Sequence, residues 1–225
     1  MSRYAVIGAS SGTGLALVRH LESQQLAVRA ISRHPPQKSE FIEPYAADIT
    51  DAKAISAALD GQFDAVFFTV DIHGLFNSRE SIRAVMYQGC VNAIQACESA
   101  ATKFGSAPKF ILLSVIGANQ PSWVWHLLNA AKRGMQKNIL DREQALQNSS
   151  LPYIICRAPK LSDTAASQTA IAATPPQHKL DMAMGIARID LARTLLLAAG
   201  HAPGHSSWDV YADAAGPVPN WLRTA

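Results

Sequence analysis

Apolar positions fall along this chain in two alternating rhythms, short unbroken runs and longer stretches with helical spacing. Residues 3–7 form a short run that stops at Gly8, and residues 14–24 follow with Leu17, Val18 and Leu21 on one helical face. Residues 27–32 read as a second strand. Arg33-His34-Pro35-Pro36 ends it, because proline has no amide to give a ladder. Residues 41–46 read as a weaker strand leading to Asp48, and Thr50 as the cap of a helix over 51–59 with Gly61 just beyond. Residues 63–70 are almost wholly apolar, as a buried strand requires. The strongest helical spacing lies in 78–101, where Ile82, Val85, Met86, Gly89, Ala93 and Cys97 recur. A buried strand at 110–115, a long helix over about 123–148 and a strand at 153–157 follow. Residues 161–187 carry little regular pattern; Asp190 reads as the cap of a last helix to Ala199, and 207–211 as an edge strand.

Strand and helix alternate, and the strands are apolar on both faces. The pattern therefore predicts an α/β fold, a doubly wound parallel sheet with helices on both sides. One domain over 1–225 is expected, with segments of about 117–132 and 161–185 forming a small substrate cap. Ligands of such sheets bind at the carboxyl ends of the strands, so the residues just after each strand carry the chemistry.

Composition narrows the partners. Charged residues are 16% of the 225 and apolar residues 48%, which fits strands covered on both faces and excludes a disordered chain. The net charge of +3 suits an anionic small molecule, and no basic block is long enough for nucleic acid. No apolar stretch reaches the roughly 20 residues of a bilayer span, so no membrane contact is expected. The opening residues lead straight into a strand, so no signal peptide is expected. Cys90, Cys97 and Cys156 are odd in number, and none forms a CxxC pair. A disulfide scaffold and a metal site are not expected, and a reducing cytoplasm is. His201 and His205 have a helical metal spacing, but Pro203-Gly204 between them breaks the helix.

The first loop, Gly8-Ala9-Ser10-Ser11-Gly12-Thr13-Gly14, is the densest chemistry in the chain. Its glycines allow a tight turn and close approach of backbone amides to an anion at a helix start. Ser10, Ser11 and Thr13 add hydroxyl donors. No Gly-Lys-Ser/Thr follows, so this is not the nucleoside-triphosphate loop.

This loop resembles the GxxxGxG turn of short-chain dehydrogenases/reductases, and further segments resemble the atypical, NmrA-like branch of that Rossmann family. These are Asp48-Ile49, Gly89-x-x-Asn92, the strand ending at Ser114, Glu143-x-x-Leu146, the segment from Leu151 to Pro159, and Arg188-Ile-Asp190-Leu-Ala192. The resemblance implies a nicotinamide cofactor on Gly8, Ser10, Ser11, Gly12, Thr13 and Gly14. It places Asp48 and Ile49 beside the adenine, although Asp48 also reads as a helix-start acid. It places Thr69, Val70, Ser114 and Pro159 along the ribose and nicotinamide. An acid at the end of the second strand would favour NAD; here that end is Ser32-Arg33, and a guanidinium can grip a 2′-phosphate, so NADP(H) is expected, with Lys38 assisting. Arg33 as a plain solvated loop charge is the other reading.

Most members of the family carry a Tyr and a Lys four residues apart on the helix after strand five. Counting back from Glu143 puts Met135 and Ile139 at those places. The resemblance then implies a reductase whose acceptor needs no tyrosine acid, such as a conjugated carbonyl, quinone, flavin or bilin, as in biliverdin reductase B-like members. The alternative is a non-catalytic NADP(H)-binding sensor that regulates a protein partner. Candidates for the proton are Ser114, His126 and Lys137, with His73 similar to Lys137. Two of them also have a plainer reading: a strand-end hydroxyl for Ser114, a packed helix start for His126. Trp123 and Trp125 could wall the crevice, while Arg157 and Asp190 read as an ion pair and a helix cap.

Overall fold

The computed structural model describes residues 3–72, 77–166 and 170–223. His73 and part of the 161–185 segment lie outside the described residues. The first half alternates as expected: β1 (Arg3–Ile7), α1 (Gly12–Ser23), β2 (Ala27–Ser32), β3 (Ile42–Ala46), α2 (Ala52–Ala58) and β4 (Ala65–Phe68). Next come α3 (Arg79–Arg83), a π-helical turn (Ala84–Gln88), α4 (Gly89–Phe104) and β5 (Lys109–Val115). Then follow α5 (Trp123–Ala131), α6 (Met135–Gln147), β6 (Tyr153–Ala158) and β7 (Lys160–Ser162). The last elements are β8 (Ile171–Thr174), β9 (Gly185–Ala187), α7 (Arg188–His201), β10 (Ser206–Ala212) and a 3-10 turn (Asn220–Leu222).

The main sheet has eight strands in the order β3-β2-β1-β4-β5-β6-β10-β8, and β7 and β9 pair separately. Every pair in the main sheet is parallel except β10 with β8. The winding reverses between β1 and β4, so the crevice opens there. The period-two geometry of β1 sends Val6 to one layer and Ala5 and Ile7 to the other. Leu17, Val18 and Leu21 of α1 pack with Leu191 and Leu195 of α7 over the first face. Ile55 of α2, Cys90, Ala93 and Cys97 of α4, and Leu146 of α6 cover the second.

Five sequence expectations are corrected. The cap of α2 is Asp51, whose carboxylate accepts from the amides of Lys53 and Ala54, while Thr50 serves Asp48 instead. The cap of α7 is Ala187, and Asp190 is an acid of its first turn. The helix over 78–101 widens at Ala84–Gln88, an extra residue that sets both Val85 and Met86 against the crevice. The helix expected over 123–148 is two helices, because the chain turns at 132–134. The strand expected at the edge is penultimate: β10 lies between β6 and β8, and β8, drawn from the stretch with little pattern, takes the edge. Part of the segment set aside as cap is therefore main sheet.

Candidate functional site

The carboxyl ends of β1, β2, β4, β5 and β6 open into one cavity. Gly8, Ser10, Ser11, Gly12 and Thr13 of the β1–α1 loop line one side of it. Gly14 does not line it, and lies beneath. A Cβ there would stand 2.2 Å from the carbonyl oxygen of Gly8 and 2.6 Å from Thr69 Oγ1. This contact lets the first turn of α1 press onto the end of β1. Thr69 completes the seam, its hydroxyl donating to the Ile7 carbonyl at 2.8 Å. Gly12 is the exposed shoulder of the loop, at φ +54°.

Two hydroxyls in this cavity wall have nothing to donate to. Thr13 Oγ1 and Ser32 Oγ are buried and have no hydrogen-bond partner among the described residues. Arg33 stands exposed at the rim beside Ser32. Asp48 also lines the cavity and accepts from the Thr50 amide at 2.9 Å and the Thr50 hydroxyl at 2.7 Å. Those bonds, with the nearby Arg33 charge, hold its carboxyl below the ordinary carboxylate range. Ile49 lines the cavity too, and its placement explains one motif: Asn92 Nδ2 donates to the Ile49 carbonyl at 3.0 Å. A Cβ on Gly89 would stand 2.5 Å from Ile49 Cγ1, so only glycine lets α4 approach. Lys38 is exposed and does not line the cavity.

At the other end stand Thr69, Val70, Ser114, Pro159 and Met135, all lining the same cavity. Ser114 is 3% exposed and donates to Glu143 Oε1 at 2.5 Å. Arg157 grips the same carboxylate, Nε to Oε1 at 3.1 Å and Nη2 to Oε2 at 2.5 Å. The Ser114 proton is thus committed to Glu143, and what the hydroxyl offers the cavity is an acceptor. That corrects its reading as a proton source. His126 is exposed on α5 and lines a second, separate cavity with Trp125 and Gln136. Trp123 is 67% exposed, and Trp125 donates its indole N–H to the Gly117 carbonyl at 2.8 Å. None of the described side chains of 117–132 lines the main cavity. Lys137 is two residues beyond Met135, about 200° round the helix, and bonds both oxygens of Asp141 at 2.8 Å in solvent. The structure therefore brings Ser114 to the site and leaves His126 and Lys137 outside it. No tyrosine among the described residues lines the cavity.

Two arginines at the site escaped the reading of the sequence. Arg142 is buried and lines the cavity, donating to the carbonyls of Val70 at 3.3 Å and Leu113 at 3.0 Å. It follows Met135 by seven residues on the same helical face, a spacing that could have found it. Arg188 lines the cavity beside Gly12 and was visible as the first residue of the Arg188-x-Asp190 segment. The three thiols take no part. Burial pushes Cys90 and Cys156 up to about 12 and pushes Cys97 up as well.

Comparison with known proteins agrees with this geometry. A family model described as NAD(P)H-binding matches residues 8–202. The yeast protein UPF0659 protein YMR090W (Saccharomyces cerevisiae) is 28% identical over 161 residues, covering 68% of this chain and 67% of its own. Among solved structures, the oxidoreductase ylbE from Lactococcus lactis has a TM-score of 0.76 at 19% identity, covering 99% of this chain and 95% of that one. ChuY, an anaerobillin reductase from Escherichia coli O157:H7, has 0.69 at 19% identity, covering 96% and 100%. A short-chain dehydrogenase/reductase from Veillonella parvula in complex with NADP has 0.71 at 14% identity, covering 98% and 96%. At these identities the structures show the shared fold. No helix among the described residues is long and apolar enough to cross a membrane.

Proposed function

Because the chain belongs to the NAD(P)H-binding family, we propose that it is an NADP(H)-dependent oxidoreductase that reduces a small conjugated carbonyl, quinone or flavin-like acceptor. One observation carries the reading. The cavity wall carries two unpartnered hydroxyls, on Thr13 of the loop and Ser32 of β2, yet Met135, a thioether, forms the wall where a proton-donating side chain would be needed.

The residues present fit the cofactor. The loop amides from Gly8 to Thr13 and the Thr13 hydroxyl would hold the diphosphate, at the positive end of α1. Ser32 and Arg33 would hold a 2′-phosphate, since β2 ends in Ser32-Arg33 and not in an acid. Asp48 and Ile49 would flank the adenine. Val70, Ser114 and Pro159 would line the nicotinamide half, with Ser114 accepting a hydrogen bond. When bound, the cofactor supplies a hydride from its reduced ring. Val85, Met86 and Met135 offer an apolar surface for a flat acceptor. The proton comes from water, which a delocalised anion tolerates and a simple alkoxide does not. The neighbours named as a reductase and as an oxidoreductase support this direction.

The same missing proton donor supports a second reading, a non-catalytic NADP(H) sensor acting on a protein partner. In both readings the chain is one cofactor-binding domain, and it works in the cytoplasm. Mixing NADPH with flavin, quinone, enone and ketone panels while following nicotinamide absorbance separates the two. Turnover with conjugated acceptors supports the reductase. NADPH binding with no turnover on any panel supports the sensor.

A further inference from the structure

Three guanidinium groups line the cavity, and they are not equivalent. Arg33 stands at the end of β2, and Arg142 is held by two strand-end carbonyls. Arg188, the first residue of α7, lies across the glycine loop: a Cβ built on Gly12 would be 3.5 Å from its Nε. Its Nη1 pairs with Asp163 Oδ1 at 2.6 Å. The two partners differ in setting. The arginine side chain is 26% exposed against the cavity wall, while the aspartate side chain is 85% exposed. An ion pair with so exposed a partner holds weakly, because water competes for the carboxylate and salt screens it.

We propose that Arg188 is a diphosphate-binding residue, and that Asp163 occupies it only until the cofactor arrives. This inference rests on the NADP(H) reading of the site. An anion seated on the loop amides meets the Arg188 guanidinium with no movement of the backbone. Such an anion carries two charges against one on Asp163, and it lies in the more enclosed place. Charge-assisted bonds from a planar guanidinium to phosphate oxygens are short and directional. Asp163 is therefore a competitor. It directly follows β7, which pairs with β9, and β9 leads into Arg188, so both partners are carried by the same two-stranded unit. That unit holds the arginine across the loop, and exchange of partners is a side-chain event.

The competition makes the two partners' variants move in opposite directions. The test is calorimetric titration of the full chain with NADPH, and with adenosine 2′-monophosphate, which lacks the diphosphate. Arg188→Met weakens NADPH binding about ten- to a hundredfold and leaves adenosine 2′-monophosphate within about twofold. Asp163→Asn tightens NADPH binding about two- to fivefold. The double variant binds like Arg188→Met, since the gain needs the arginine. Thermal melting without ligand confirms that each variant is folded. NADPH affinity unchanged in Arg188→Met overturns the proposal. So does weaker binding in Asp163→Asn, which would make the aspartate a support for the site. A parent chain that binds no NADPH at all overturns the cofactor reading itself, which separates that failure from this one.

Discussion

Arg157 holds Glu143 by two bonds at 2.5 and 3.1 Å, with both side chains less than a tenth exposed. The pair ties α6 to β6 behind the cavity, and Ser114 donates a third bond to the same carboxylate. Removing one partner leaves an uncompensated buried charge. Glu143→Gln should lower stability by about 3–5 kcal/mol in denaturant unfolding, whereas replacing both partners with Leu and Met should recover most of the loss. A Glu143→Gln variant as stable as the parent would mean the pair is hydrated and carries little.

The proposed site rests the cofactor preference on Ser32 and Arg33. NADPH should bind more tightly than NADH, and Arg33→Ala should bring the two affinities together, a loss of about ten- to a hundredfold for NADPH alone. Calorimetry with both cofactors checks this, and equal affinities in the parent would refute it.

Gly12 and Gly14 should part company. Gly12 meets only the flexible Arg188 side chain, so Gly12→Val should fold, carry roughly 1–2 kcal/mol of backbone strain from its φ of +54°, and lose NADPH binding. Gly14 faces the Gly8 carbonyl, and Gly14→Val should lose roughly 3 kcal/mol of stability as α1 is pushed from β1. Thermal melts beside binding titrations distinguish the two effects.

Turnover should not depend on a tyrosine. Tyr153 stacks edge-on against His205 at 5.0 Å and Tyr211 against His178 at 4.7 Å, and neither lines the cavity. Changing each to Phe should leave any reductase rate within a few-fold, where a positioned acid would be worth about 10²–10⁴. A hundredfold loss in a folded variant would relocate the active site.

The thiols predict an alkaline limb of stability. Burial pushes Cys90 and Cys156 up to about 12 from 9.0, so above pH 9 the unfolded chain loses protons that the folded chain keeps. Stability contributed by the neutral thiols is complete below that pH. It declines as pH rises toward 12, by up to ~1.4 kcal/mol per unit for each cysteine. Denaturant midpoints measured from pH 8 to 11 check the slope. Thiol reagents at pH 8 should label the native protein only as it unfolds.

What the sequence revealed follows from where its signals are strong. The buried strands β1, β4 and β5 announce themselves because both faces are apolar. The glycine loop does so because few other residues fit its turns. β8 went unseen because four residues, Ile-Ala-Ala-Thr, carry no period, and pairing with β10 rather than local propensity makes them a strand. The division of α5 from α6 was hidden because Gly134 lies inside an otherwise helical pattern. Twelve of the thirteen expected cofactor residues line one cavity, and Gly14 supports it from below. His126 does not join them because its helix stands away from the cavity, and Lys137 does not because it lies about 200° round α6 from Met135.

The contact of Gly14 with Gly8 and Thr69 also bears on how fast a ligand is captured. A loop wedged between a helix start and two strand ends takes its shape when the chain folds, and this loop has nothing left to order on arrival. Capture is then governed by encounter. In stopped-flow mixing, the observed rate should climb in a straight line with ligand concentration and show no plateau.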